Sequence, residues 1–105
     1  MTVTVTAETH NATGQVESDP PGISLSGAGT SANVFPKDPH SPPPHPQVAT
    51  LVAEPKGSHA RAVFSGDCAN YGDFGKKAHC DVPLVPDPKV TVTYECHEGF
   101  ACETN

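Results

Sequence analysis

Alternation of apolar and polar residues, the signature of a half-buried strand, recurs along most of the chain. Thr2-Val3-Thr4-Val5-Thr6-Ala7 sets threonines on one face and Val3, Val5 and Ala7 on the other. Lys89 to Cys96 alternates as cleanly, with Val90, Val92, Tyr94 and Cys96 on one side. Gln47–Ala53 is nearly continuous in Val, Ala, Thr and Leu and reads as a central strand. Shorter strands are expected at Gln15–Ser18, Ala60–Phe64 and His79–Val82. His10-Asn11-Ala12-Thr13-Gly14 has turn chemistry, because Asn and Gly tolerate positive φ. Ser24–Asn33 shows no period and is expected to be loop, followed by a small apolar anchor at Val34-Phe35. No ten-residue window free of Gly and Pro carries a helical period. The pattern predicts a single all-β domain over 1–105. It has six or seven short strands with little or no helix, arranged as a small antiparallel sheet or sandwich or as a β-grasp-like module.

Composition changes that picture in two places. Six of the 12 prolines fall in Pro36–Pro46, which is too many for helix or central strand and suits polyproline II geometry. This segment reads as a stiff insertion loop. The alternative is a ligand for a proline-recognising partner, but such partners are mostly intracellular. The chain is 105 residues long with no Trp, so its core is lean and marginal without help. Help is available from Cys68, Cys80, Cys96 and Cys102, all near the C-terminus. Four cysteines allow three pairings, and close spacing favours Cys68–Cys80 and Cys96–Cys102. Each bridge would add about 2–3 kcal/mol in the chain-entropy model. A zinc site would want short paired spacings such as C-x2-C, and none is present. Disulfides imply an oxidising, extracellular setting. The N-terminus MTVTVTAETH lacks a basic region followed by an apolar run and does not read as a signal peptide. Export of a mature domain, release by lysis and incorporation in a particle all remain open.

The ordered set of short motifs resembles a known family. Gly14-Gln15-Val16-Glu17-Ser18-Asp19-Pro20-Pro21-Gly22-Ile23 follows a G-x-V-x-S-x-P-x-G-I pattern. Leu51-Val52-Ala53-Glu54-Pro55, Gly57-Ser58 and Phe64-Ser65-Gly66-Asp67-Cys68 come later, then Cys80-Asp81-Val82-Pro83-Leu84 and Val90-Thr91-Val92-Thr93-Tyr94. Over residues 2–95 these are similar to the divergent internalin-type B-repeat domains, small β modules of bacterial secreted and surface proteins. The chain departs from that pattern in several ways. Leu25 stands near the first of an early cysteine pair, Phe64 stands where Trp is usual, and Cys96 and Cys102 extend past the usual end. Members are commonly repeated, whereas this chain has one copy. The resemblance implies a spacer, adhesion or ligand-binding module without catalysis.

Charge and candidate chemistry narrow the function further. Six Lys and Arg against 12 Asp and Glu give a net charge of −6, which argues against nucleic acid. No run approaches the roughly 18 apolar residues of a membrane-spanning helix, so no membrane insertion is expected. His10, His40, His45, His59, His79 and His97 read as solvated loop residues, with no metal or cofactor implied. Only His79 and His97, each beside a cysteine, form a pair worth testing. Asp67 with Asp73 gives a weak calcium motif, and Asp67, Glu95 and Glu98 a weak glycosidase set. A nucleophile elbow is absent, and the chain is not expected to be an enzyme. The Asn11-Ala12-Thr13 sequon carries little weight.

The most informative surface is the Cys68–Cys80 loop, whose Tyr71, Asp73, Phe74, Lys76 and Lys77 are the candidate binding residues. Aromatic rings on a pre-closed loop provide contact area at low entropic cost. The competing expectation is that Tyr71 and Phe74 fold inward to replace the missing Trp. Partners would be a protein or glycan at a surface, or other copies and subunits in a filament or virion. A small secreted inhibitor presenting the loop is a further alternative.

Overall fold

The computed structural model describes residues 2–35, 47–100 and 102, among which there is no helix. The Pro-rich 36–46 segment lies outside the described residues. Among the described residues nine strands form: β1 (Thr2–His10), β2 (Gly14–Asp19), β3 (Ser24–Ser26), β4 (Gly29–Val34), β5 (Gln47–Pro55), β6 (Ala60–Gly66), β7 (Asn70–Tyr71), β8 (Ala78–Pro83) and β9 (Lys89–Cys96). They build a five-stranded sheet in the order β4-β1-β9-β6-β7 and a four-stranded sheet in the order β3-β2-β5-β8. Pairing is antiparallel everywhere except between β1 and β9, which run parallel with Val5 beside Val90.

The alternation seen in sequence is the alternation in burial. Val3, Val5 and Ala7 of β1 and Val90, Val92 and Tyr94 of β9 point inward, and Ala60, Ala62 and Phe64 of β6 join them. From the other sheet come Val16, Leu51, Ala53, Ala78, Cys80 and Val82, all in the same core cluster. Two sheets sharing one apolar layer make a sandwich, which decides between the architectures the sequence left open. Much of that layer is Val and Ala, and Tyr94 and Phe64 are its largest fully buried side chains.

Both disulfides form as spacing suggested. Cys68–Cys80 ties the segment after β6 to β8, and so one sheet to the other, with Cα atoms 6.1 Å apart. Cys96–Cys102 fastens the tail to the end of β9 with Cα atoms 5.8 Å apart. No free cysteine remains. The bridges place the chain in an oxidising setting, and no helix among the described residues is long and apolar enough to cross a membrane.

The structure corrects the sequence reading in three respects. Ser24–Asn33 is not loop but the two edge strands β3 and β4, which with β7 account for the extra strands. Edge strands of small residues bury almost nothing (β4 alternates no buried position), so periodicity gives no signal there. The Val34-Phe35 anchor divides: Phe35 is buried with its ring against Gly22, while Val34 is 71% exposed on the outer face. Asn11 does take positive φ in the first turn, but Gly14 does not. Gly14 is required for space instead, since a Cβ there would overlap the Tyr94 ring and lie 2.5 Å from the Glu54 carbonyl oxygen.

Candidate functional site

Strand register brings four connections to one end of the sandwich. His10 pairs with Glu95, Ala60 with Cys96, Gly14 with Pro55 and Ala53 with Ala78. The segments 11–13, 56–59, 72–77 and 97–100 therefore converge. Backbone bonds knit them together: Lys56 N–H donates to the Thr13 carbonyl at 2.8 Å, His97 N–H to His59 at 2.7 Å and Gly75 N–H to Ala60 at 2.8 Å. Gly75 needs its glycine, because φ is 76° and a Cβ would press on Ser58.

This end carries a contiguous group of rings. His59 stacks on Phe100 with centroids 3.9 Å apart, His97 meets Phe100 edge-on at 5.1 Å, and Phe74 leans on His97 at 4.5 Å. Arg61 lies over Phe74, 4.8 Å from its centroid, a cation–π distance. The Glu95 carboxylate holds the Arg61 guanidinium, accepting from Nε at 3.1 Å and lying 3.0 Å from Nη2. Half-exposed, that pair adds little stability; it fixes the guanidinium that lies over the Phe74 ring. Phe100 is 49% exposed, within the short loop closed by Cys96–Cys102. Beside it runs an open groove of about 530 Å³ lined in part by Asn11, His97, Glu98 and Phe100. A second depression of about 330 Å³ lies between Thr13, Gln15, Ser26, Glu54 and Lys56.

The five residues singled out in the Cys68–Cys80 loop do not form one patch. The loop descends along the β6 margin, its Gly72 amide bonding to Ala62 and its Gly75 amide to Ala60. Tyr71 sits on β7 opposite Val63 and is 75% exposed. Phe74, half-buried, joins the ring group. Lys77 pairs instead with Glu54 of the other sheet at 3.4 Å. Asp73 and Lys76 are exposed, joined by a turn bond from the Lys76 amide to the Asp73 carbonyl. Neither Tyr71 nor Phe74 enters the core, so the inward-folding expectation fails.

The weaker candidates separate in space. His97 meets His59 rather than His79, whose carbonyl accepts from the Asn70 amide side chain. Asp67 accepts from the Lys89 amide at the start of β9, while Glu95 lies six residues along it. At about 3.3 Å per residue that is roughly 20 Å, beyond any glycosidase carboxylate pair. Asp73 is likewise at the opposite end of β6 from Asp67, so the calcium motif is not assembled. Among the described residues no group of three or more His, Cys, Asp or Glu could hold a metal.

Phe100, His59 and Arg61 are the functional candidates that sequence reasoning missed. The close Cys96–Cys102 spacing was a usable signal for Phe100. Nothing local indicates that the β5–β6 turn would deliver His59 to Phe100, or that β6 would set Arg61 against Phe74. Comparisons with protein-family models, curated proteins and solved structures return no match.

Proposed function

We propose that the chain is a non-enzymatic extracellular binding or adhesion module that presents its loop-bearing end to a protein or glycan. The observation carrying this reading is the solvent-facing group of Phe74, His97, Phe100, His59 and Arg61, held between two disulfide-closed loops. Aromatic and arginine side chains dominate binding energetics at protein surfaces. Loops already closed by covalent bonds lose less entropy on binding. The internalin-type resemblance adds the expectation of a bacterial secreted or surface protein, and the oxidising setting fits it. A second reading, a structural subunit of an extracellular assembly, is favoured by a separate feature, the uncharged margin at β4.

The test is an array of immobilised oligosaccharides and extracellular proteins probed with oxidised chain and with Phe74→Ala/Phe100→Ala. The proposal expects at least one array member to retain the native chain and to lose the variant by tenfold or more. An array on which native chain binds nothing, or on which the two proteins bind alike, rejects it.

A further inference from the structure

The last strand of a sheet leaves a row of backbone groups unpaired, and proteins ordinarily guard it with charge, proline or brevity. Here β7 and β3 are short, and β8 carries His79 and Asp81. β4 is six residues long and reads Gly-Thr-Ser-Ala-Asn-Val, with no charge and no proline. The neutral run extends from Gly22 to Phe35, in a chain whose net charge is −6.

Parity identifies which groups are free. The Thr4 amide donates to the Pro88 carbonyl at 3.0 Å and the Thr2 amide to Asp87 Oδ1 at 3.0 Å. Even-numbered residues of β1 therefore bond toward β9 and odd-numbered ones toward β4. Thr2, Thr4 and Thr6 lie opposite Val34, Ala32 and Thr30, so in an antiparallel ladder these three turn their backbone groups outward. At Val34 the donor is taken, because Asn33 Oδ1 accepts it at 2.9 Å while Asn33 Nδ2 donates to the Gly22 carbonyl at 2.9 Å. The Asn33 side chain closes that end of the margin. Thr30 and Ala32 keep outward N–H and C=O groups with no bond among the described residues.

We infer that β4 is a self-association edge, on which a second copy of this chain adds its own β4 antiparallel about a two-fold axis near Ser31. In that register Thr30 of each copy faces Ala32 of the other, and each such pair exchanges two N–H···O bonds. Val34, 71% exposed, falls opposite Ala28 of the second copy and is covered. The occupant is a second copy because two acidic molecules repel wherever their charged faces meet. Among the described residues of this margin, Gly29–Val34 lets two copies pair without bringing like charges together. The inference gives the assembly reading a defined surface and does not depend on what the loop-bearing end binds.

Ala32→Pro tests it. The substitution removes an outward amide and obstructs the margin, yet removes no bond to β1. Sedimentation velocity on the oxidised full chain, from about 10 µM to about 1 mM, should show native protein moving from monomer toward dimer. Ala32→Pro should stay monomeric over the same range with an unchanged melting temperature. If that variant does not fold, Ala32→Lys supplies the same test by placing like charges across the axis, and should weaken association at least tenfold. Native chain that remains monomeric at about 1 mM overturns the inference; a foreign extended peptide as the true occupant would give that result. Association that neither variant weakens overturns it equally.

Discussion

Replacing Tyr94 by Phe removes one oxygen from the centre of the sandwich and leaves the ring in place. The residue is fully buried and its hydroxyl has no hydrogen-bond partner among the described residues. A hydroxyl taken out of water without a partner costs about 1–3 kcal/mol. The variant should therefore gain about 1–2 kcal/mol, and at about 4–8 °C per kcal/mol for a domain of this size the melting point should rise visibly. A second signature comes from titration. Burial holds the Tyr94 phenol protonated well above its ordinary range near 10. The unfolded chain ionises at that ordinary value while the folded chain does not. Native stability is thus fully present below about pH 10 and falls above it, by up to about 1.4 kcal/mol per pH unit from this group. Tyr94→Phe should lack that part of the alkaline loss. The chain has no Trp and only two Tyr, so calorimetry or circular dichroism is the appropriate assay rather than fluorescence. A loss of stability of about 1 kcal/mol or more at pH 7 would refute the reasoning, because it would mean that the hydroxyl is partnered.

Other substitutions probe separate parts of the account. Gly14→Ala should cost about 3 kcal/mol in chemical denaturation, since the new methyl would overlap both the Tyr94 ring and the Glu54 carbonyl; a neutral result would mean that β2 can shift. Tyr71→Ala should change stability by less than about 0.5 kcal/mol, whereas Phe64→Ala, buried in the core, should cost about 3–5 kcal/mol, and similar losses for both would place Tyr71 inside. The Cys68→Ala/Cys80→Ala pair should lose about 3 kcal/mol and Cys96→Ala/Cys102→Ala about 2 kcal/mol, following their sequence separations of 12 and 6. The second pair should in addition free Phe100 from His59, an effect visible in NMR ring-current shifts of the imidazole.

How far the sequence could be read depended on whether a residue's role was local. β1 and β9 were legible because each buries alternate residues, and Thr against Val along Thr2–Ala7 records that directly. β4 was not legible, because both its faces are largely exposed and only its register with β1 makes it a strand. The disulfides were legible from spacing alone. The site was legible in part: Phe74 stood out as an aromatic on a closed loop, and it is at the ring group. Lys77 stood out as a lysine on the same loop, yet the loop wraps the sheet margin and delivers it to Glu54 instead. Arg61 and His59 gave no sign, since the register of β6 with β9 brings His59 to Phe100 and the bonding of the 72–75 loop along β6 brings Phe74 to Arg61.

The central claim is that recognition occurs at the loop-bearing end. Chemical-shift mapping by heteronuclear NMR, with an array-identified oligosaccharide or protein titrated into oxidised chain, tests it most directly. The account predicts perturbations confined to residues 10–13, 56–61, 72–77 and 95–100. Perturbations centred on the Asp67–Lys89 end, or on the outer face of β1 and β4, would contradict it.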